Sequence, residues 1–530
     1  MLRSSITQTK LILYASLFFV LFDNYEFFHQ VITIYQPTGT NIIYIISTAV
    51  VLFALLNLFF HIVSAKYVTK PLMIVLLLIS SVTGYFMNTY HIVIDEEMIR
   101  NALQTNVSEA SDLWSFWLFL YLFFLGIIPS VWVYRVKIHY HSWKTEIVSK
   151  LKMSILFLVL IVVTVTGFGK FYTSFFREHK ILRFYTNPPF WMDCLRIYFT
   201  QTYFTQTPTL KLMGKDATID DQNLSRKLVI VVVGEAARAD HFSINGYQRP
   251  TTPLLENEHI INYPYMYSCA TSTAQSVPCM FSYFTHSEYD YTKAYYTENI
   301  LDILNHTKKV AILWRDNNSN SKGVALRVRY ENFRIPKNNP KCDGECRDVG
   351  MLSGLQAYIE ANKDKHILIV LHQMGNHGPA YYKRSPQRSK KFMPECMTNQ
   401  LEQCERQGII NAYDNALHYT DIFLNQTIAL AKKYPDKEVA VIYMSDHGES
   451  LGESGIYLHG LPYFIAPDAQ KHIGAFIWLN HTLRKKLAHI KDPQQTRSHD
   501  YLFHTLLGLF DVRTSVYDVS LDLLHKGKEK

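Results

Sequence analysis

The stretch Leu228-Val229-Ile230-Val231-Val232-Val233-Gly234-Glu235 decides the fold. Six apolar residues, mostly β-branched, run without a polar alternation. A strand with that pattern is buried on both faces, as in a parallel sheet covered by helices. Similar runs recur at 310–314, 367–371, 439–444 and 473–479, with longer amphipathic segments between them, such as 408–430. The pattern predicts an α/β domain with a parallel sheet and helices on both sides. Ligands of such sheets bind beyond the carboxyl ends of the strands, so chemistry is sought there.

The strand ends are polar. The first run ends in Gly234-Glu235. The run 367–371 is followed by His372 and then Asn376-His377-Gly378. The run 439–444 ends in Ser445-Asp446-His447-Gly448, and His459 follows. A Glu, Asp and His donor set suits zinc or manganese. One Glu alone reads as a surface carboxylate, and Asp446-His447 alone as a helix N-cap beside a histidine. Three such endings on three strands point to a metal site. The hydroxyl-rich stretch 268–279 ends in a predicted helix start. A hydroxyl there lies where backbone N–H groups hold an anion, and a nearby metal would make it a nucleophile. A Ser/Thr-rich turn ahead of a capped helix has the same composition. The pattern does not separate Thr271, Ser272, Thr273 and Ser276.

Upstream the chain changes character. Of 530 residues, 48% are hydrophobic and 18% charged, which excludes a disordered protein. A mean hydropathy of -0.03 excludes a chain lying wholly within a bilayer. The net charge of +8 is too diffuse to argue for nucleic-acid binding. Five apolar stretches, 11–32, 42–64, 71–94, 114–134 and 151–168, are each long enough to span a membrane. Asp23, Asn24 and Glu26 interrupt the first. Lys and Arg cluster before the first span and in the second and fourth loops; the first loop has none, and the third is net acidic. The positive-inside rule then puts everything after 172 outside the cytoplasm. Asn101 and Gln104 are expected in the short third loop, on the outer side. Residues 172–210, rich in Tyr, Phe, Trp and Arg, are expected at the membrane–water interface, with Asn187-Pro188-Pro189 as a break. The expected organisation is 1–171 as a five-helix membrane domain, 172–226 as an interfacial bridge and 227–530 as the outer domain. A transporter is disfavoured, because no inverted-repeat pattern appears.

Of seven cysteines, six form close pairs in the outer domain: Cys269 with Cys279, Cys342 with Cys346, and Cys396 with Cys404. In an exported domain such pairs read as disulfides.

The motifs resemble the lipid A phosphoethanolamine transferases, and most closely the mobile colistin-resistance enzymes. The resemblance rests on Gly234-Glu235-Ala236-Ala237-Arg238-Ala239-Asp240-His241, Asn245-Gly246-Tyr247, the Cys269–Cys279 segment, and Leu313-Trp314-Arg315-Asp316-Asn317-Asn318. It rests equally on Cys346-Arg347-Asp348, His372-Gln373-Met374-Gly375-Asn376-His377-Gly378-Pro379 and Ser445-Asp446-His447-Gly448-Glu449-Ser450-Leu451-Gly452-Glu453. It covers nearly the whole chain. It implies a five-helix bundle followed by an alkaline phosphatase/sulfatase-like domain. It implies one zinc on Glu235, Thr273, Asp446 and His447, with Thr273 as nucleophile. His377 and His459 match residues that bind a second zinc or handle phosphate and protons, and Asn318 and Lys322 match phosphate contacts. The spacing of Cys342 and Cys346 is tighter than in some members.

The resemblance further implies phosphatidylethanolamine as donor, lipid A as acceptor, an inner-membrane location with the catalytic domain in the periplasm, and resistance to polymyxins. A monomer is expected. Asn101 and Gln104 are expected to grip a lipid headgroup. The nearest alternative is a phosphoglycerol or phosphoethanolamine transferase acting on another envelope glycan. A sulfatase is disfavoured, because no Cys/Ser-x-Pro-x-Arg segment occurs.

Overall fold

The computed structural model describes residues 5–104, 110, 113–200, 209–220, 225–487 and 490–524. Two compact units emerge: Met1–Ile99 with Trp114–Thr202, and Arg100–Leu113 with Tyr203–Lys530.

The first unit is helical. Four helices have the length and apolarity of membrane spans: α3 (Thr40–Val63), α4 (Thr69–Tyr90), α6 (Phe116–Arg135) and α7 (Trp143–Gly167). The expected first span is not continuous. It is a bent pair, α1 (Gln8–Asp23) and α2 (Tyr25–Ile34), with 59° between them. The physical reason is Asn24. Its side-chain amide donates to Phe19 O (2.9 Å) and to Asn187 O, and its Oδ1 accepts the Asn187 N–H (2.9 Å). These bonds satisfy backbone groups that the break would otherwise leave unpaired in an apolar surround. The third loop is also not a plain loop, for Asn101 and Gln104 lie on helix α5 (Glu96–Gln104). The aromatic bridge forms α8 (Gly169–Glu178) and α9 (Pro189–Phe199), and Phe171, Tyr172, Phe175, Trp191 and Cys194 are buried.

The second unit is built on a seven-stranded sheet. Its strands are β1 (Lys227–Gly234), β2 (Ile260–Asn262), β3 (Val310–Asp316), β4 (Arg329–Asn332), β5 (His366–His372), β6 (Glu438–Ser445) and β7 (Ala475–Leu479). The spatial order is β2-β7-β6-β1-β5-β3-β4. The five strands β6, β1, β5, β3 and β4 are mutually parallel. The run 473–479 departs from expectation: β7 begins only at Ala475 and lies antiparallel to β6. Ile473 pairs instead with Met266 in a separate small sheet. Strand direction leaves no mark on an all-buried apolar run, so the pattern could not show it.

The deciding stretch is buried on both faces. Val229, Val231 and Val233 join a core with Leu502, Phe503, Leu506 and Leu507 of α12 (Asp500–Leu509). Leu228, Ile230 and Val232 join the opposite core with Leu417, Phe423, Leu424 and Ile428 of α11 (Arg406–Ala431). Helices thus cover both sides. Helix α10 (Thr273–Met280) starts inside the nucleophile candidate stretch, and its Val277 and Met280 join the first of these cores.

All three cysteine pairs are bridged as adjacency predicts: Cys269 to Cys279, Cys342 to Cys346, and Cys396 to Cys404. Cys396 is buried and Cys404 half-buried, just ahead of α11. Cys396 N–H donates to Gly408 O (2.9 Å), and Cys404 N–H donates to Leu401 O (3.1 Å). Cys396 and Cys404 therefore pin the entry of α11.

Two buried histidines make the second unit acid-sensitive. Nδ1 of His366 accepts the Lys227 N–H (3.1 Å), and Nδ1 of His504 accepts the Asp518 N–H (3.0 Å). Burial pushes both imidazoles from 6.5 down to about 4. Between those values the unfolded chain takes up protons that the folded chain refuses. Stability is therefore complete above about pH 6.5 and is lost as pH falls toward 4. The loss is up to about 2 kcal/mol per histidine once solvent screening is allowed for. The urea midpoint of the full chain should fall steadily over that range, and His504→Gln should flatten the fall. A midpoint that holds constant down to about pH 4.5 would refute the assignment.

Candidate active site

Strand register assembles the site. Ser445 pairs with Gly234, and Val233 with His372, so Glu235 and Asp446 leave adjacent strands side by side. The loop after β5 packs beneath them. Asp348 accepts the backbone N–H groups of Met374 (2.9 Å) and Gly375 (3.1 Å), and Asn376 N–H donates to Glu235 O (3.0 Å). Gly375 has φ +47°, and a Cβ there would stand 2.9 Å from Glu235 O. Only glycine fits that approach.

Thr273 is the first residue of α10. Its hydroxyl donates to Glu235 Oε2 (3.1 Å) and lies 3.2 Å from His447 Nε2. The structure separates the four hydroxyls that the pattern left open. Thr271 donates to Leu461 O, Ser276 donates to Asp446 O, and Ser272 is buried away from the cluster's hydrogen bonds. Thr273 alone reaches the carboxylate and the imidazole. The Cys269–Cys279 bridge ties the loop before Thr273 to the far end of the same helix.

His447 Nδ1 donates to Gly448 O (2.8 Å), so in the neutral ring the Nε2 lone pair faces the cluster. Glu235 Oε1 and Asp446 Oδ2 each lie 3.4 Å from that Nε2. Both oxygens are buried and have no hydrogen-bond partner among the described residues. The other Asp446 oxygen is occupied, accepting the N–H groups of Ala236 (3.1 Å) and His447 (2.7 Å). Burial and the neighbouring Asp446 push the Glu235 carboxyl well up. The Asp446 carboxyl lies below its usual value although burial opposes this, with His447 the chief stabilising charge. Two carboxylates buried this closely cannot both ionise without a cation. Donors around a tetrahedral ion at ~2.0–2.1 Å stand about 3.3 Å apart. The residues present therefore fit a metal. His459 joins the same group, since its ligating nitrogen lies within 4.8 Å of the ligating atoms of Glu235 and His447.

The remaining expected residues fall in distinct places. Asn318 follows β3, and its amide donates to Glu235 Oε2 (2.7 Å) and Gln373 O (2.8 Å). His377 stacks edge-on to His459 at 6.0 Å, and burial, with Arg384 and His459 nearby, pushes its imidazole well down. His372 is buried, with Nδ1 on Asp316 Oδ2 (2.9 Å). Lys322 is buried on the loop after β3 and lines a small cavity with Pro278 of α10 and Ser282. Asn101 and Gln104 lie on α5. Arg100, one residue before Asn101, stacks on Tyr291 (3.7 Å) within the second unit. A cavity of about 750 Å³ opens beside Asn318, lined by Arg334, Tyr330, Glu345 and Met374 among others.

Sequence reading missed three supports. Glu449 Oε2 accepts the His459 Nδ1–H (2.6 Å), and Tyr381 donates to the other Glu449 oxygen. His499 accepts the Cys269 N–H on Nδ1 (3.1 Å) and donates from Nε2 to Ser445 O (2.8 Å). It thereby braces the Thr273 loop against the end of β6. Glu449 lay within a quoted motif, but no spacing rule marks it or His499.

Known proteins give this geometry its context. The family model Sulfatase matches residues 227–512, and Phosphoethanolamine transferase EptA/EptB matches residues 52–203. The chain is 43% identical over 96% of both lengths to phosphatidylethanolamine transferase Mcr-2 of Escherichia coli. It is 36% identical to phosphoethanolamine transferase EptA of Escherichia coli K12, over 98% of this chain and 97% of that one. The fold matches the integral membrane lipooligosaccharide phosphoethanolamine transferase A of Neisseria meningitidis with a TM-score of 0.94 and 33% identity, covering 98% and 99% of the two chains. The second unit has the sulfatase-like fold, and the protein sits in the bacterial inner membrane with that unit in the periplasm. On these matches the chain belongs to the phosphoethanolamine transferase family.

Proposed function

We propose that the protein moves phosphoethanolamine from phosphatidylethanolamine to a phosphate of lipid A, through a covalent ester on Thr273. The observation that carries this reading is the Thr273 hydroxyl, held 3.1 Å from Glu235 and 3.2 Å from His447 in a cluster with two unpartnered carboxylate oxygens. Glu235, Thr273, Asp446 and His447 would hold zinc, with His377 and His459 able to take part in a second site. Zinc bound there supplies Lewis-acid polarisation of phosphate and lowers the pKa of the hydroxyl.

Thr273 Oγ attacks the donor phosphorus, and the bond from phosphorus to the diacylglycerol oxygen breaks. A proton must reach that oxygen. His377 is held neutral by burial, which fits it to contact phosphate rather than to protonate. His459, with a buried carboxylate behind it, is the better acid. Diacylglycerol leaves, and phosphoethanolamine stays esterified to Thr273. A lipid A phosphate oxygen then attacks the same phosphorus, and the Thr273 oxygen departs and recovers a proton. Asn318, Lys322 and Arg334 offset charge on the transferred and accepting phosphates. Arg334 donates to Asn318 O (3.2 Å) and lines the adjoining cavity. Asn101 and Gln104 are assigned to the lipid headgroup; alanine at either should lower transfer with normal expression, and unchanged transfer removes them from the site.

A membrane anchor suits two lipid substrates, because extraction would expose acyl chains at ~0.8 kcal/mol per CH₂. Each transfer puts an ammonium where phosphate charge was exposed, so polymyxins bind the outer membrane less. Expression in a polymyxin-sensitive Gram-negative host, with mass spectra of lipid A, tests the proposal. A phosphoethanolamine increment is expected, together with reduced polymyxin susceptibility. An unmodified lipid A with well-expressed protein would shift the reading to another acceptor or to a phosphoglycerol donor.

A further inference from the structure

A second group of metal-type ligands lies in the membrane unit, apart from the catalytic cluster. It consists of Glu26, His29 and His91, whose ligating atoms all lie within 4.8 Å of one another. Glu26 and His29 sit on α2 at i and i+3, the spacing that puts two side chains on one helix face. His91 caps α4 in the left-handed region, φ 55°.

The site is built before any ligand arrives. The break at Asn24 starts α2, and Asn187 holds that break from the far end of the unit. Glu26 N–H donates to Asn88 Oδ1 (3.2 Å), which ties the start of α2 to the last turn of α4. Gln30 donates to Glu26 Oε1 (2.6 Å) and fixes the carboxylate plane. Glu26 is 1% exposed, yet its Oε2 has no hydrogen-bond partner among the described residues, and neither does the buried His91 Nδ1. That nitrogen lies 2.9 Å from Glu26 Oε1, and His29 Nδ1 lies 3.8 Å from Oε2. His29 is 47% exposed, so the group is open on one side.

We propose that Glu26, His29 and His91 form a second, non-catalytic zinc site at the outer end of the membrane helices. Two imidazoles and one carboxylate are borderline donors of the class that selects zinc, and zinc is also held by three protein ligands with the fourth position open. Glu26 supplies the negative charge that a divalent ion needs in an apolar surround. The ion clips α2 to α4 where the first span is bent. Loop charges put the end of α4 on the periplasmic side, where the ion can enter without crossing the bilayer.

The test counts metal on the full-length protein in detergent, stripped with chelator and then dialysed against zinc. The variants are His29→Ala/His91→Ala and His29→Ala alone. The double variant should carry one zinc fewer per chain than wild type, with the zinc at the catalytic cluster retained. His29→Ala alone removes only a half-exposed ring, so it decides the matter if the double variant does not fold. It should weaken one class of zinc by at least the ~10–100-fold that follows loss of a mere outer-sphere partner. Cobalt in place of zinc adds a spectroscopic readout, since one visible absorption component should disappear in both variants. Equal zinc counts and an unchanged isotherm for His29→Ala would overturn the proposal.

Discussion

Thr273→Ala should abolish lipid A modification while leaving the protein folded and in the membrane. The expected loss is on the order of 10⁴-fold or more, as for other nucleophile deletions. The reason lies in how little else can substitute. Thr271 and Ser276 spend their hydroxyls on the carbonyls of Leu461 and Asp446. Ser272 is buried, but only Thr273 reaches both Glu235 and His447. Thr273→Ser keeps the oxygen and should keep measurable transfer, reduced through looser placement of a side chain that has lost its methyl group. A direct readout accompanies the rate. Wild type incubated with phosphatidylethanolamine alone should gain one phosphoethanolamine mass on the peptide holding Thr273, and the alanine variant should gain none. Full transfer by the alanine variant would discard Thr273 as nucleophile and leave the family assignment standing.

What could be read in advance divides along physical lines. β1, β3, β5 and β6 were legible, because strands buried on both faces must be apolar throughout. β2 was not, since Ile260-Ile261-Asn262 is too short to stand out. The direction of β7 was not, because it depends on partners. The ligands Glu235, Asp446 and His447 were legible in outline, as they follow strand ends where open sheets bind. Which hydroxyl serves as nucleophile needed the fold, for Thr273 meets His447 across 174 residues of sequence. The same holds for His499 and Cys269, which meet across 230. The bridge between Cys396 and Cys404 was legible from adjacency, because its partners stand only 8 residues apart. In the membrane unit, Asp23, Asn24 and Glu26 marked the first span as unusual. That Asn24 breaks it depends on Asn187, whose contact lies 163 residues away. Local pattern reports the environment each segment needs; pairing across the fold decides which residues carry the chemistry.

The metal cluster and the acid make different demands, and Glu449 connects them. The Glu449 carboxylate is buried, takes the His459 Nδ1–H and is held in turn by Tyr381. Such a partner orients the ring and leaves Nε2 aimed away from it, whether toward a metal or toward a leaving oxygen. His459→Ala should therefore lower kcat by roughly 100–10,000-fold, the usual value of a placed general acid. Glu449→Gln separates the two uses. The amide oxygen can still accept from Nδ1, so the ring keeps its direction, but a protonated ring loses its nearest counter-charge. If His459 is the acid, the alkaline limb of the kcat profile should move to lower pH in Glu449→Gln and vanish in His459→Ala, with zinc content unchanged in both. If His459 serves chiefly as a ligand, zinc content should fall in His459→Ala while the limb stays in place in Glu449→Gln. The ring lies with its centroid 4.1 Å from that of His447, close enough for either task. Burial pushes the imidazole of the neighbouring His377 well down, which makes it a poor replacement for the lost acid. A His459→Ala enzyme with wild-type kcat across the whole pH range would remove this residue from the chemistry.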